Sequence, residues 1–232
     1  MKALTYQGED WRINMTKLLS YQYAKSTGDS LVGICYLSGG PRVCPKCSEC
    51  WGKRLCYRFS GRLAMPQAVA AGEARTRQYL ETPSAFYYNL SREIKRGALK
   101  AAKKGVPFAA RLNGCSDIDH TEFIRGMPSI QFYDYTKVLA IALKSLDIPN
   151  YDVTFSFSGF NLPDCFKYLA AGGKVAVVTN DVAKLCRERW FDIETIDGDC
   201  TDERWKDKGG VVVALKAKGK AKKSTSPFIW RV

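Results

Sequence analysis

Four of the nine cysteines, Cys44, Cys47, Cys50 and Cys56, fall in the spacing C-x2-C-x2-C-x5-C. A short loop so spaced wraps several thiolates around one centre, as zinc ions and iron–sulfur clusters both require. Four thiolates suit tetrahedral zinc, three suit a cluster with one iron left open, and the spacing leaves both open. Lys46, Lys53, Arg54 and Arg58 flank the sulfurs and would offset thiolate charge. Cys35, Cys115, Cys165, Cys186 and Cys200 stand singly and read as small buried apolar residues. The odd count, behind an amino terminus without an apolar signal, favours reduced thiols over a disulfide framework.

The next candidates are carboxylates. Asp117, Asp119 and Asp134 each fall at or just beyond an apolar run, with Lys137 close behind as a further candidate catalytic group. A nucleophilic carboxylate with a second acid–base group could displace a base from deoxyribose and accept a replacement. Asn113, Ser116, Tyr133, Tyr135, Ser158 and Asn180 share these positions and are candidate substrate-binding groups; for Asp119 a turn or cap role competes. His120 is the only histidine, which excludes most schemes needing two; a surface or capping role is favoured over proton carrier or fourth ligand. Asp197, Asp199, Asp202 and Asp207 could hold a cation through oxygen, but the EF-hand pattern is missing and turns paired to Arg204 and Lys206 are favoured.

These groups need a scaffold that brings strand ends together. Short apolar runs at 31–37, 107–112, 129–135, 152–158 and 174–179, with a sixth at 211–215, read as buried strands. Helical spacing marks 64–79, 85–104, 121–125, 138–146, 164–171 and 182–189, with Ser84 as an expected N-cap and Gly105 as the glycine closing the longest helix. Strand–helix alternation of this kind implies a parallel sheet, and the expectation is an α/β fold: a partial β/α barrel with a cysteine-rich metal-binding loop at 43–58. Carboxyl ends of parallel strands are where such folds carry their chemistry. One domain over 1–215 and a mobile basic tail over 216–232 are expected, with 228–230 able to dock back.

The net charge of +13 points to an anionic partner, nucleic acid foremost. Arg92, Lys95, Arg96, Lys100, Lys103 and Lys104 line one predicted helix, and Lys216, Lys218, Lys220, Lys222 and Lys223 crowd the tail. Such side chains bind phosphates without reading sequence. No run of about 18 apolar residues exists, so no membrane partner is expected. Oligomeric state is left open.

The stretch CPKCSECWGKRLCYRFSGR, then RLNGCSD at 111–117 and FYDYTK at 132–137, resembles the phage gene-product-88 family. The resemblance runs from Cys44 through Asn180 and on toward Gly219. Cys44, Cys50 and Cys56-Tyr57 fit the family's cysteine places, while Cys47 is additional and the last interval is longer. The resemblance implies a protein of an infected bacterial cytoplasm, with DNA as the expected partner. The inventory is also similar to phage DNA 7-deazaguanine transglycosylases, β/α barrels with paired aspartates and cysteine-held zinc. That likeness implies base exchange by the aspartates. The order of cysteine loop, Ser-Asp and Tyr-Thr-Lys also resembles phage radical-SAM-like proteins, implying an iron–sulfur cluster and S-adenosylmethionine. This chain lacks their C-x3-C-x2-C spacing and the Gly-Gly-Glu after the second strand. A metal-stabilised, non-enzymatic nucleic-acid-binding protein is the remaining alternative.

Overall fold

The computed structural model describes residues 16–24 and 29–232; the amino-terminal segment read above for a signal lies outside them. Two strands open the fold, β1 (Leu19–Tyr23) and β2 (Leu31–Cys35), paired antiparallel. The cysteine loop follows and carries one helical turn, α1 (Ser48–Gly52), before helices α2 (Pro66–Glu81) and α3 (Pro83–Ala102) return the chain to β3 (Phe108–Arg111). Then come α4 (Thr121–Arg125), β4 (Gln131–Thr136), α5 (Leu139–Ser145), β5 (Tyr151–Ser156), α6 (Leu162–Ala170) and β6 (Lys174–Thr179). The chain ends through α7 (Val182–Glu188), β7 (Thr195–Asp197), β8 (Val212–Lys216) and β9 (Ile229–Trp230).

The described strands form one nine-stranded sheet in the order β1-β2-β3-β4-β5-β6-β8-β7, with β9 paired to β6. Every pairing after β1 is parallel. From β2 to β6 the spatial order equals the chain order, so there is no reversal of the kind a doubly wound sheet requires. No closed barrel is detected among the described residues, so the expected barrel reduces here to an open, largely parallel α/β sheet.

Alternation along the strands gives the two faces different work. Ala110, Phe132, Val153, Phe155, Val175, Val177, Val212 and Ala214 share one core with Phe86, Leu90 and Ile94 of α3, Ala142 of α5, Tyr168 of α6 and Leu185 of α7. On the other face Val32, Ile34, Ala109 and Tyr133 pack with Tyr36 and Trp205. The α3 helix begins one residue before the expected cap: Thr82 is its N-cap and Pro83 its first residue. Proline's fixed φ and missing N–H suit that position, which displaces Ser84 into the first turn. Gly105 does close the helix, at φ +67.

The carboxyl-terminal segment is not a free tail. Ala217 and Ala221 are buried in one cluster with Cys44, Cys47, Cys50, Phe228 and Ile229, and Ser226 Oγ donates to Glu49 Oε2 at 3.0 Å. The lysines between them are exposed, so charge hid two buried alanines four positions apart. β9 pairs with Val178 and Thr179, beyond the point where β5 leaves β6. Gly159, at φ +94, lets this segment pass, since a Cβ there would come within 2.7 Å of the Pro227 carbonyl carbon.

Candidate functional site

The cysteine loop leaves the carboxyl end of β2, the first parallel strand. Gly40, at φ +81, turns the chain under the Trp51 ring, where a Cβ would come within 2.8 Å of the indole. One helical turn follows, closed by Leu55 N and Cys56 N, which both donate to Cys50 O at 2.7 and 2.8 Å. This winding turns Cys44, Cys47, Cys50 and Cys56 toward one cavity of about 150 Å³. The expected set of four therefore shares one space. Within it the Cys50 Sγ donates to Cys47 O at 3.5 Å. Among the described residues no group of three or more His, Cys, Asp or Glu side chains is arranged to hold a metal ion, so the metal-binding loop expected here is not a formed ligand set.

Burial pushes the Cys44 thiol up to about 12 and raises Cys47 as well. Its neighbour Cys56 holds the Cys50 thiol below the usual range, while Cys50 and burial push Cys56 up. Of the four cations the loop suggested, Lys46 lines an adjoining cavity with Cys50, and the other three are engaged elsewhere. Lys53 pairs with Glu49 at 2.8 Å, Arg54 lies 4.9 Å from the centre of the Phe59 ring, and Arg58 donates to the carbonyls of Ser38 and Leu63. Lys137, arriving from the end of β4, takes the charge-balancing role: burial lowers its pKa, but Cys50, Cys44, Asp117 and Cys56 outweigh this and raise it.

Of the three aspartates only Asp117 reaches the cavity. It accepts from Thr136 Oγ1 and from Lys137 N at 2.9 Å, and burial raises its pKa against those bonds. Asp134 is fully buried on the helical side of the sheet, where it accepts from Asn113 N at 2.7 Å and the Tyr151 hydroxyl at 3.2 Å. Burial lifts its pKa to about 7. Asp119 accepts from Thr121 N at 3.0 Å and pairs with Lys144 at 2.8 Å, which, against its partial burial, hold its carboxyl low. It serves the start of α4, the turn role.

The remaining candidates divide similarly. Ser116 lines the cavity, donating to Asn113 Oδ1 at 2.8 Å; Asn113 also accepts from Ile118 N and so organises the loop after β3. Tyr135 faces the cavity, whereas Tyr133 is buried 5.0 Å from Trp205. Ser158 lines a second, larger cavity of about 610 Å³ that shares Cys50, Lys137 and Phe228 with the first. Asn180 instead accepts from Val232 N at 3.1 Å and ties down the carboxyl end. His120 takes the N-cap position of α4 without a side-chain cap bond; it is buried rather than on the surface, its Nδ1 3.0 Å from the Tyr87 hydroxyl, with burial lowering its pKa to about 4, and it lines neither cavity. Asp197 accepts from Asp199 N, Asp199 from Lys216 N, and Asp207 pairs with Arg204, as turns require.

Cys115 and Arg111 are the cavity residues with chemistry of their own that were not among the candidates. Cys115 adds a fifth sulfur, its thiol pushed up to about 11 by burial, and Arg111 closes β3 with its side chain on the cavity. The signal for Arg111 was a cation ending an otherwise apolar strand.

The two basic stretches lie apart. Lys216, Lys218, Lys220, Lys222 and Lys223 are exposed on the segment whose alanines pack against the cysteines. The carboxyl end of α3, with Lys100, Lys103 and Lys104, leads into the starts of β2 and β3, the opposite end of the sheet. No helix among the described residues is long and apolar enough to cross a membrane.

Fold and site together define a parallel α/β protein with a cysteine-lined cavity over the carboxyl ends of its central strands. The chain belongs to the gene product 88 family, whose family model matches residues 9–232. No curated protein and no solved structure matches it.

Proposed function

We propose that the sheet is a partial β/α barrel and that the cysteine-lined cavity is the active site of an enzyme that modifies a base in DNA with the help of a cysteine-held iron–sulfur cluster. The observation carrying this reading is the meeting of Cys44, Cys47, Cys50 and Cys56 with Lys137 and Asp117 in one cavity at the strands' carboxyl ends. The chain-order run from β2 to β6 supports the barrel. The second cavity of about 610 Å³, which adjoins Cys50 and Lys137, gives a substrate room beside the sulfurs and supports a catalytic role for the centre.

The donor set fits such a group in its chemistry: soft sulfurs, one with its pKa held low, with a lysine to balance charge. The four sulfurs would have to close together on it. When bound, the cluster would supply electrons to the substrate, or to S-adenosylmethionine as co-substrate. The chain's own residues do the rest. Asp117, its pKa raised by burial, stands on the cavity as the group that can exchange a proton with a bound base. Phe160 offers an exposed ring at the larger cavity on which a base drawn from the stack could lie. The exposed lysines of the carboxyl-terminal segment would hold flanking phosphates. The cysteines are free, which suits the reducing cytoplasm of a bacterial host.

Asp117 also favours a second reading: base exchange with Asp117 as nucleophile, Lys137 as acid–base partner and zinc in a structural role. The pair of aspartates first expected is not available for it, because Asp134 is engaged by Asn113 and Tyr151 and Asp119 by Lys144. The test is nucleoside mass spectrometry of DNA from bacteria expressing the wild type, Cys50→Ser or Asp117→Asn. A modified nucleoside in the wild type alone is expected; identical profiles in all three would overturn the enzyme reading.

A further inference from the structure

The cavity beside the cysteines has a floor made by neighbouring parallel strands. Arg111 comes from the end of β3, Tyr135 from β4 and Ser156 from the end of β5, and all three line it. Alternation from Ala110, Phe132 and Phe155, which face the helices, puts these three on the opposite face. The Arg111 guanidinium lies 4.8 Å from the centre of the Tyr135 ring, which fixes its plane and leaves its N–H edge free.

Three buried cations of this protein have an anionic or carbonyl partner. Lys174 donates to both Asp152 oxygens at 2.7 Å, Arg204 pairs with Asp207 at 3.2 Å, and Arg58 donates to the carbonyls of Ser38 and Leu63. Arg111 forms none of the ion pairs among the described residues, and its buried Nε has no hydrogen-bond partner there. A guanidinium is always charged, and one half-buried on a cavity wall without an anion forgoes part of its hydration, which an anionic ligand would restore. Lys137 on the same cavity adds a second positive charge.

We propose that Arg111, held by Tyr135 and assisted by Lys137, is an oxyanion-binding site that receives a phosphate or carboxylate of the substrate or co-substrate. The anion site stands on this geometry; which molecule carries the anion rests on the function proposed above. A guanidinium fork matches either oxyanion with two parallel hydrogen bonds, whereas chloride can use only one direction.

Calorimetric titration of the full chain with inorganic phosphate and with acetate, at constant ionic strength in chloride, tests it. The wild type should bind at least one of them saturably, and Arg111→Met should weaken that binding by about tenfold or more. Arg111→Lys, which keeps the charge and loses the fork, should weaken it several-fold and serves if the methionine variant does not fold. Tighter phosphate would identify a phosphoester as the ligand group, tighter acetate a carboxylate. No saturable binding of either anion by the wild type, or equal binding by wild type and variants, would overturn the proposal. Metal content measured on the same samples keeps the two ideas apart, because Arg111→Met should bind as much metal as the wild type.

Discussion

Asp134 and Arg111 sit on adjacent strands and face opposite sides of the sheet, each a charge-bearing group carried into the interior. Asp134 is enclosed by donors, the Asn113 amide and the Tyr151 hydroxyl, and ties the loop after β3 to β4 and β5. Arg111 has a ring against it and an unmatched N–H edge on a cavity. A buried polar group whose bonds are complete serves the fold; one left incomplete beside a cavity is waiting for a ligand. The Asp134 carboxyl is of the first kind and the Arg111 guanidinium of the second.

Stability should separate the two most strongly. Asp134→Leu removes the acceptor of two buried donors and should cost about 2–3 kcal/mol in urea unfolding. Arg111→Met removes a half-buried, unpaired charge and should leave stability within about 1 kcal/mol of the wild type. Equal losses would erase the distinction.

The pH dependence sharpens it next. Asp134 keeps its proton to about pH 7 in the fold, whereas an unfolded aspartate releases it near pH 4. Between those values the folded chain holds more protons, so this group's contribution to stability falls as pH rises. His120 acts in the opposite sense, because its folded pKa of about 4 lies below the unfolded value near 6.5 and its contribution rises with pH across that window. The two oppose each other between about pH 4 and 6.5. Asp134→Asn should expose the histidine: relative to the wild type, its stability should rise by on the order of 2 kcal/mol from pH 5 to pH 7. A parallel profile in wild type and variant would contradict the assignment.

A smaller effect contrasts the two ends of the strands. Reversing Lys220, Lys222 and Lys223 to Glu, beside the cavity, should weaken DNA binding by about tenfold and flatten its salt dependence. The same change at Lys100, Lys103 and Lys104 should do much less. Fluorescence anisotropy with a labelled duplex reads both, and equal losses would mean a diffuse electrostatic surface.

The strands from β2 to β6, and β8, were legible because each is an apolar run bounded by turn residues. β7 and β9 were not, being three and two residues long and too short to show a period. β1 was missed although LSYQY alternates, because it is a five-residue edge strand ahead of the strand–helix repeat. The cysteine set and Asp117 were legible from spacing and from their places after strands. Asp134 was not separable from Asp117, because FYDYT is aromatic or apolar on both faces and offers no contrast to tell inside from cavity. The buried carboxyl-terminal segment was hidden by lysines that point outward around two small alanines.

The central claim is that the cysteine cavity is a reactive centre and the helical face is scaffold. Its most direct measurement is iron and acid-labile sulfide per chain in anaerobically purified wild type, Cys50→Ser and Cys200→Ser, the last an exposed cysteine outside the cavity. The account predicts brown wild type and Cys200→Ser with matching iron and sulfide, and a colourless Cys50→Ser. Zinc without iron in the wild type, or equal iron in all three proteins, would contradict it.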